Sequence, residues 1–171
     1  ATYETTRSFN WLEKLNPSEV FADIMQDYSW VECTSATIQG LLEFKEQYPE
    51  YKKAAIEKAV VEGLEVILEK QREDGSWGES FESCVQMKYI QHEDGQIINT
   101  AWSLLALMQA KYPNKVLIEK GIQFIISRQD ANGDFPQEGI SGVFNKNCME
   151  TYTSYRNVFP IWALNRFLKV Y

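Results

Sequence analysis

Residues 63–77, Gly-Leu-Glu-Val-Ile-Leu-Glu-Lys-Gln-Arg-Glu-Asp-Gly-Ser-Trp, decide the predicted fold because their pattern recurs. Residues 121–135, Gly-Ile-Gln-Phe-Ile-Ile-Ser-Arg-Gln-Asp-Ala-Asn-Gly-Asp-Phe, repeat it 58 positions later. The first glycine, the glutamine, the second glycine and the closing aromatic residue keep their register. Shared residues also precede each turn: Ile-Glu-Lys at 56–58 and 118–120, and Tyr-Pro at 48–49 and 112–113. A period near 60 residues indicates a repeat architecture.

Each repeat unit is predicted to be a pair of helices. A helix-like stretch, at 34–44 in the first unit and at 100–110 in the second, leads into the Tyr-Pro break, and a second helix leads into the turn. Apolar residues recur at helical spacing at Leu64, Ile67, Leu68, Leu104, Leu107 and Met108. No alternating strand of useful length occurs. The sequence therefore predicts an all-α fold, arranged as a helical array or toroid.

Local signals also predict where these helices begin and end. Asn99-Thr100 is typical of an N-cap, and Pro160 is expected to open the last helix rather than interrupt it. Gly75 and Gly133 are expected to be left-handed residues that end helices.

The composition excludes several classes of protein. The chain has 171 residues, which predicts about one domain. With 24 Asp+Glu against 17 Lys+Arg and a net charge of -7, it lacks the basic character of a nucleic-acid binder. Its longest apolar runs are far shorter than the ~20 residues that span a bilayer, and no signal peptide opens it. The start at Ala1 predicts a processed chain or a fragment.

The cysteines and the histidine argue against metal and triad chemistry. Three widely spaced cysteines, Cys33, Cys84 and Cys148, indicate a reducing compartment rather than a disulfide framework. The chain has one histidine, His92, and no CxxC or HExxH motif, so we expect no zinc site and no Ser-His-Asp hydrolase. We expect His92 to lie in a surface loop.

The repeated turn itself predicts a structural role. Its glutamine can bond backbone groups at a neighbouring helix end, and the following aromatic ring can stack against that side chain. The expected structural residues are Gln71, Gly75, Trp77, Gln129, Gly133 and Phe135. On this interpretation the repeat holds helix pairs together and does not identify a ligand.

The turn resembles the QW motif of triterpene cyclases, in which an aromatic-aliphatic pair precedes Gln and then Gly-x-Trp. QW-like repeats then lie at about 56–80 and 118–138, with Val66 at the aromatic position of the first and Phe135 in place of Trp in the second. Further blocks resemble, in family order, the C-terminal part of oxidosqualene cyclases, the lanosterol synthase group. These blocks are residues 16–21, 31–36, 77–84, 142–146 and 155–164.

The resemblance implies an incomplete α/α-barrel. Residues 1–171 correspond to the C-terminal portion of the catalytic barrel domain of much longer proteins. The Asp-Cys-Thr-Ala-Glu motif that carries the family's catalytic acid does not occur in this sequence. In the family, about one repeat separates Gly-Ser-Trp from the Gly-Glu-Ser block, whereas here Trp77 runs straight into Gly78. One repeat unit is therefore expected to be missing.

The resemblance also implies the chemistry. The family isomerises (S)-2,3-oxidosqualene to a sterol or triterpene such as lanosterol, through carbocations that aromatic faces stabilise. By motif position, it implies a substrate cavity lined by Trp30, Trp102, Phe144, Tyr152 and Tyr155, with Trp30 in place of a tyrosine. For each of these the alternative is an ordinary core aromatic residue. No cofactor is expected, because the acid is a side chain.

Several alternatives stay open or are excluded. The chain alone is expected to be inactive, and the competing hypothesis is a non-catalytic helical remnant or binding module. Carboxylates near the turns, Glu79, Glu82, Asp130 and Asp134, are expected to be solvated, which leaves no acid pair for a glycosidase. The zinc ligands of a prenyltransferase are missing.

The resemblance alone implies that the parent protein lies monotopically on the endoplasmic reticulum membrane or a lipid droplet, facing the cytosol. No nucleic-acid partner is expected, and the oligomeric state stays open.

Overall fold

A computed structural model describes residues 10–15, 29–144 and 148–171. Its α-helices are α1 (Val31–Gln47), α2 (Lys53–Glu69), α3 (Glu82–Gln86), α4 (Ile97–Gln109), α5 (Lys115–Ser127) and α6 (Tyr155–Val170). A 3-10 helix spans Asn10–Leu15, and β1 (Gly142–Phe144) pairs antiparallel with β2 (Cys148–Glu150). The predicted all-α fold is confirmed, with this pair of three-residue strands as a small addition.

The two predicted helix pairs are α1 with α2 and α4 with α5. Tyr48-Pro49 separates the first pair and Tyr112-Pro113 the second, as the sequence indicates. Helix α4 is the centre of the molecule, because α1, α5 and α6 all pack against it. Every residue from Ile97 to Met108 is buried. A helix that is apolar on all sides is stable only when it is covered on all sides.

Helices α1, α4 and α6 run parallel and side by side. At one end, Ser35 Oγ of α1 donates to the Trp102 carbonyl of α4 at 2.5 Å, and the Trp102 ring contacts that of Phe159 in α6. At the other end, Arg166 of α6 donates to the Gln109 side chain of α4. We call these three the inner helices. Helices α2 and α5 return antiparallel to them.

A glycine at the same repeat position brings each helix pair together. A Cβ on Gly63 of α2 would lie 3.0 Å from Ile38 Cδ1 of α1, and one on Gly121 of α5 would lie 2.9 Å from Leu104 Cδ2 of α4. The repeated glycine is therefore a packing residue, needed where two helices approach closely.

The two repeated turns have the same backbone. Residues 71–77 form the first turn and residues 129–135 the second. Arg72 N donates to the Ser76 carbonyl at 2.9 Å in the first, and Asp130 N donates to the Asp134 carbonyl at 2.9 Å in the second. Gly75 (φ +88°) and Gly133 (φ +84°) have the expected positive φ. They do not end helices, however, because α2 and α5 stop six residues earlier.

Two predicted helix boundaries are wrong. Asn99 and Thr100 lie inside α4 rather than at its N-cap, and the Thr100 hydroxyl bonds the backbone of Trp77 instead. Pro160 lies inside α6, five residues after its start at Tyr155. A proline near a helix start removes only one hydrogen bond, and the buried packing of Pro160 compensates for it.

Candidate functional site

Aromatic side chains meet where the N-terminal halves of α4 and α6 lie side by side. The Trp102 ring, only 4% exposed, contacts Tyr155 edge-on with centroids 6.0 Å apart and Phe159 at 5.3 Å. Tyr155 also contacts Phe159 at 5.0 Å and Tyr152 at 4.8 Å. We call these four residues the aromatic cluster. Three of them were expected from the sequence, and Phe159 was not, although it stands four residues after Tyr155, on the same helix face.

Trp30, the residue before α1, shares the lining of a cavity with Trp102. This small cavity of about 60 Å³ lies between the N-termini of α1 and α4. The lining residues are Trp30, Glu32, Cys33, Glu79, Asn99, Trp102, Ile140 and Ser141. Trp102 thus joins this cavity to the aromatic cluster. Tyr152 and Tyr155 do not border it.

Phe144, the remaining predicted cavity residue, lies in β1, opposite Cys148. Its side chain is outside the described part of the chain, so its cavity role stays a prediction.

Glu79 corrects the expectation that the carboxylates near the turns are solvated. It is only 3% exposed, and its Oε2 accepts a hydrogen bond from Val31 N, the first residue of α1, at 3.0 Å. Glu138 repeats this arrangement in the second unit, since its Oε2 accepts from Ile97 N, the first residue of α4, at 2.9 Å. The free N–H groups and the dipole of a helix N-terminus stabilise a carboxylate there.

The sequence contained a signal for these caps. Glu79 follows the closing Trp77 of the first turn by two residues, and Glu138 follows Phe135 of the second turn by three. Sequence reasoning missed it because an acid near a turn is usually solvated. Asp130 does fit that expectation, since it is exposed.

Burial sets the ionisation of two carboxyl groups in this region. It raises the pKa of Glu32, in the first turn of α1. Burial also raises the pKa of Glu138, although the Ile97 N–H and the Arg128 guanidinium act in the opposite direction. Both carboxyl groups therefore lie in surroundings that partly exclude water.

The turn residues lie at the joints between helix pairs. In the first turn, Gln71 Nε2 donates to the Gly75 carbonyl at 3.0 Å and to the Leu117 carbonyl of α5 at 3.2 Å. Trp77 is fully buried, and its Nε1 donates to the Ile67 carbonyl at 2.7 Å.

In the second turn, Gln129 Nε2 donates to the Gly133 carbonyl at 2.8 Å, and Phe135 is fully buried. These contacts are the kind expected of structural residues. The match to a QW motif stays a prediction.

His92 lies in the loop before α4, where its Nδ1 accepts from Asp94 N at 3.0 Å. Among the described residues, no group of three or more His, Cys, Asp or Glu side chains is placed to hold a metal ion. Within the same part of the chain, no helix is both long and apolar enough to cross a bilayer.

Comparison with known proteins connects this geometry to a family. The profile of the squalene-hopene cyclase C-terminal domain matches residues 26–169. A cycloartenol synthase of Dictyostelium discoideum is 42% identical over 220 residues, covering 100% of this chain and 31% of the relative. The lanosterol synthase of Homo sapiens is 40% identical over 223 residues, covering 100% and 30%. That of Saccharomyces cerevisiae is 32% identical over 220 residues, covering 100% and 30%.

The chain thus spans less than a third of the length of these relatives. The aligned stretches are longer than the 171 residues of the chain, so the relatives hold residues there that have no counterpart in it. The profile covers most of the chain, including α1 to α5, α6 up to its last residue but one, and the aromatic cluster. The chain belongs to the squalene-hopene cyclase family and is a C-terminal part of the oxidosqualene cyclase type.

Proposed function

We propose that this chain is the C-terminal part of a triterpene cyclase that converts (S)-2,3-oxidosqualene to a sterol or triterpene. The aromatic cluster is the observation that carries the proposal. It brings Trp102, Tyr155, Phe159 and Tyr152 into ring contact at one end of the inner helices. The relatives named lanosterol synthase and cycloartenol synthase support the same reaction class.

The aromatic cluster suits this chemistry for a physical reason. Cyclisation passes through carbocations, which water would quench, so the wall beside them must be dry and still rich in electrons. An aromatic face attracts a cation by about 0.5–2 kcal/mol, with the larger values where water is excluded. Trp102 meets both conditions because it is almost fully buried and its ring touches two others. Tyr152, at 41% exposed, would be the outer edge of this wall.

The acid that starts the reaction is proposed to come from outside this chain. The Asp-Cys-Thr-Ala-Glu motif does not occur in the sequence. We also propose that the chain lacks one repeat unit between Trp77 and Gly78. The alignment with the Dictyostelium relative supports this, because 220 aligned residues exceed the 171 present by about one repeat. On both counts the chain alone is expected to be inactive.

A reconstitution tests the proposal. The purified chain is incubated with (S)-2,3-oxidosqualene in two forms: alone, and with the missing repeat unit inserted between Trp77 and Gly78 and the preceding portion of a lanosterol synthase co-expressed. Products are identified by mass spectrometry. We expect cyclised product only in the second case. Product from the chain alone would contradict the proposed inactivity, and no product in either case would contradict the proposed reaction.

A matched pair of variants assigns the role of the aromatic cluster in that assay. Trp102→Leu removes the central ring and is expected to lower the rate about tenfold or more. Trp11→Leu changes a tryptophan that is 56% exposed in the 3-10 helix, and is expected to leave the rate unchanged. Equal effects of the two substitutions would remove the basis of the assignment.

A second candidate function is a non-catalytic helical module. An exposed apolar face on α6 favours it, made of Val158, Ile161, Trp162 and Leu168, which are 42–81% exposed. Such faces favour association with a partner. Light scattering with size-exclusion chromatography separates the cases, since a compact monomer would count against a partner at this face.

Membrane association of the parent, on the endoplasmic reticulum or a lipid droplet and facing the cytosol, is proposed from the family likeness alone. Fractionation of cells that express the longer protein tests it. Recovery of that protein entirely in the soluble fraction would contradict it.

A further inference from the structure

The segment at the end of the second turn contacts both helices that carry the aromatic cluster. Within residues 134–138, Glu138 bonds the first residue of α4, and Asp134 pairs with Arg156, the second residue of α6. Three of the four cluster rings come from the N-terminal halves of these two helices. We infer that Asp134 and Glu138 are positioning residues, which fix the separation of the Trp102 ring from the rings of α6.

Helix α4 depends on this segment for the cap at its N-terminus. Its own N-cap residue, Gln96, makes no side-chain cap hydrogen bond. Glu138 Oε2 supplies one instead, accepting from Ile97 N at 2.9 Å. The N–H groups of a first helical turn have no partner within the helix, and helix ends fray where nothing holds them. Trp102 stands only five residues after Ile97, so the position of its ring depends on how this first turn is held.

A basic side chain holds Glu138 in place. Glu138 Oε1 pairs with Arg128 Nε at 3.3 Å, and the Arg128 guanidinium lies over the Phe124 ring of α5, 5.1 Å from its centroid. The Glu138 side chain is 17% exposed, so salt screens this pair less than a pair on the open surface. The cap of α4 is therefore anchored on α5.

The start of α6 is held from the other end of the same segment. Its N-cap residue, Ser154, makes no side-chain cap hydrogen bond either. Arg156 donates to the Phe135 carbonyl, and its Nη2 pairs with Asp134 Oδ2 at 3.0 Å. Phe135 is fully buried, so this residue is fixed in the core. Because Arg156 follows Tyr155 directly, the link acts beside the rings of the aromatic cluster.

One short segment therefore ties together two helix ends whose rings touch. Aromatic rings attract one another over a limited range of distances and angles, and a ring stabilises a cation only where its face is presented to it. A displacement of about 1 Å in a positioning element can slow a reaction about 100-fold. Asp134 and Glu138 act through the rings of the aromatic cluster rather than on substrate. The inference rests on the proposed function for this catalytic consequence, but not for the ring contacts.

The opposite end of the inner helices offers matched controls. Asn114 caps α5 there through its side chain, and Arg166 of α6 bonds α4. Asn114→Ala removes a helix cap, as Glu138→Ala does, and Arg166→Ala removes an arginine link, as Arg156→Ala does. We call Glu138→Ala and Arg156→Ala the cluster-end variants, and the other two the far-end variants.

The first test uses the whole chain and needs no reaction. Nuclear Overhauser cross-peaks between the Trp102 ring and the rings of Tyr155 and Phe159 are measured by NMR, with the indole signals assigned from Trp102→Phe. We expect the cluster-end variants to weaken these cross-peaks and the far-end variants to keep them. Urea unfolding of all four variants separates a local displacement of the rings from a general loss of stability.

The second test uses the reconstituted cyclase. The cluster-end variants are expected to lower kcat about tenfold and to leave KM within about twofold, because the rings stabilise the transition state more than the bound substrate. The far-end variants are expected to change neither constant. If Glu138→Ala does not fold, Arg128→Ala removes the ion pair, keeps the cap acceptor and has the same expected direction.

Two results would overturn the inference: unchanged cross-peaks in the cluster-end variants, or equal weakening in the far-end variants. A rise in KM with kcat unchanged would count against it in the same way. A reconstituted wild-type protein that makes no product would overturn the proposed function instead, and the cross-peaks would still decide whether Asp134 and Glu138 position the rings.

Discussion

The first and second turns carry the same pattern and the same backbone, but they have different surroundings. In the first turn, a Cβ on Gly75 would lie 2.6 Å from the backbone of Lys120 in α5, and Gln71 bonds that same helix. In the second turn, the nearest atom to a Cβ on Gly133 is the Gln129 amide nitrogen at 3.7 Å, and Gln129 is exposed. The first turn packs closely on α5 of the next helix pair, whereas the second turn is linked to the next helix, α6, through Arg156, which donates to the Phe135 carbonyl and pairs with Asp134.

This difference shows where a repeated turn contributes most to the stability of the fold. A helix pair buries its apolar face only against its neighbours, so a turn gains its full stabilising effect only where another pair follows it. Within the described part of the chain, α5 follows the first turn and packs against it. Among the described residues, the Gln129 side chain of the second turn bonds only the Gly133 carbonyl of its own turn. The same residues should therefore contribute more stability in the first turn.

Replacing the closing aromatic residue of each turn is expected to have the largest effect on the free energy of unfolding. Trp77→Ala is expected to lower the free energy of unfolding by about 3–5 kcal/mol, because it leaves a cavity in the core. It also removes the Nε1 bond to the Ile67 carbonyl. Phe135→Ala leaves a cavity without breaking such a bond, so its loss should be smaller. Urea unfolding followed by circular dichroism measures both, and a larger loss for Phe135→Ala would contradict the ranking.

Replacing the glycine at positive φ in each turn separates the effect of backbone strain from the effect of the contact with α5. Gly133→Ala is expected to cost about 1–2 kcal/mol, because a side chain at positive φ is strained. Gly75→Ala carries the same strain and also forces α5 away, which adds about 1–3 kcal/mol. The difference in unfolding free energy between the two variants therefore measures the packing of the first turn on α5. Equal losses would show that this contact is absent in solution.

Replacing the glutamine of each turn tests the same difference between the turns, with a smaller expected loss of unfolding free energy. Gln71→Ala removes two hydrogen bonds, one of them to α5, and is expected to cost about 1–2 kcal/mol. Gln129→Ala removes one exposed bond and is expected to cost less than about 0.5 kcal/mol. Gln123→Ala, at an exposed position on α5, is the control and should have no measurable effect. A loss of unfolding free energy for Gln129→Ala as large as that for Gln71→Ala would argue against a stabilising contact between the first turn and α5.

The smallest expected effect is the acid dependence of the second turn. A hydrogen bond from Phe135 N, then a hydrogen bond with the Asn157 side chain and the nearby Arg156 guanidinium, hold the pKa of Asp134 below its usual value near 3.8. The ionised carboxylate therefore stabilises the fold above that pH, and this contribution is lost as the pH falls below it. Asp134→Asn should flatten the fall in urea midpoint between pH 5 and pH 3. An unchanged fall would assign it to other groups, such as Asp74 in the first turn.

Much of the fold could be predicted because its signals are local. The helix pairs follow from apolar spacing, the Tyr-Pro breaks and the repeated turn, which all act within a few residues. The start of α4 could not be predicted in this way. Its first N–H is bonded by Glu138, 41 residues further on, so a distant carboxylate extends the helix past Asn99 and Thr100. Pro160 was misplaced because core packing outweighs one missing hydrogen bond.

The residues and contacts of the aromatic cluster could also be predicted only in part. Motif position indicated Trp102, Tyr152 and Tyr155, but not which of them touch, and Phe159 and the buried Glu79 were missed. The sequence did not show these contacts because they depend on how α4 and α6 pack against each other in the fold.

The sequence by itself determined the repeat, the all-α class and the family, because repeated residues and ordered motifs are properties of the chain. Only the tertiary structure decided that the first turn packs closely against α5, whereas the second is linked to α6 through Arg156. Only it decided that Glu79 is a buried cap beside two tryptophans rather than a solvated acid. The physical reason is that burial, hydrogen-bond partners and the strength of a charge are set by neighbours that lie far away in sequence.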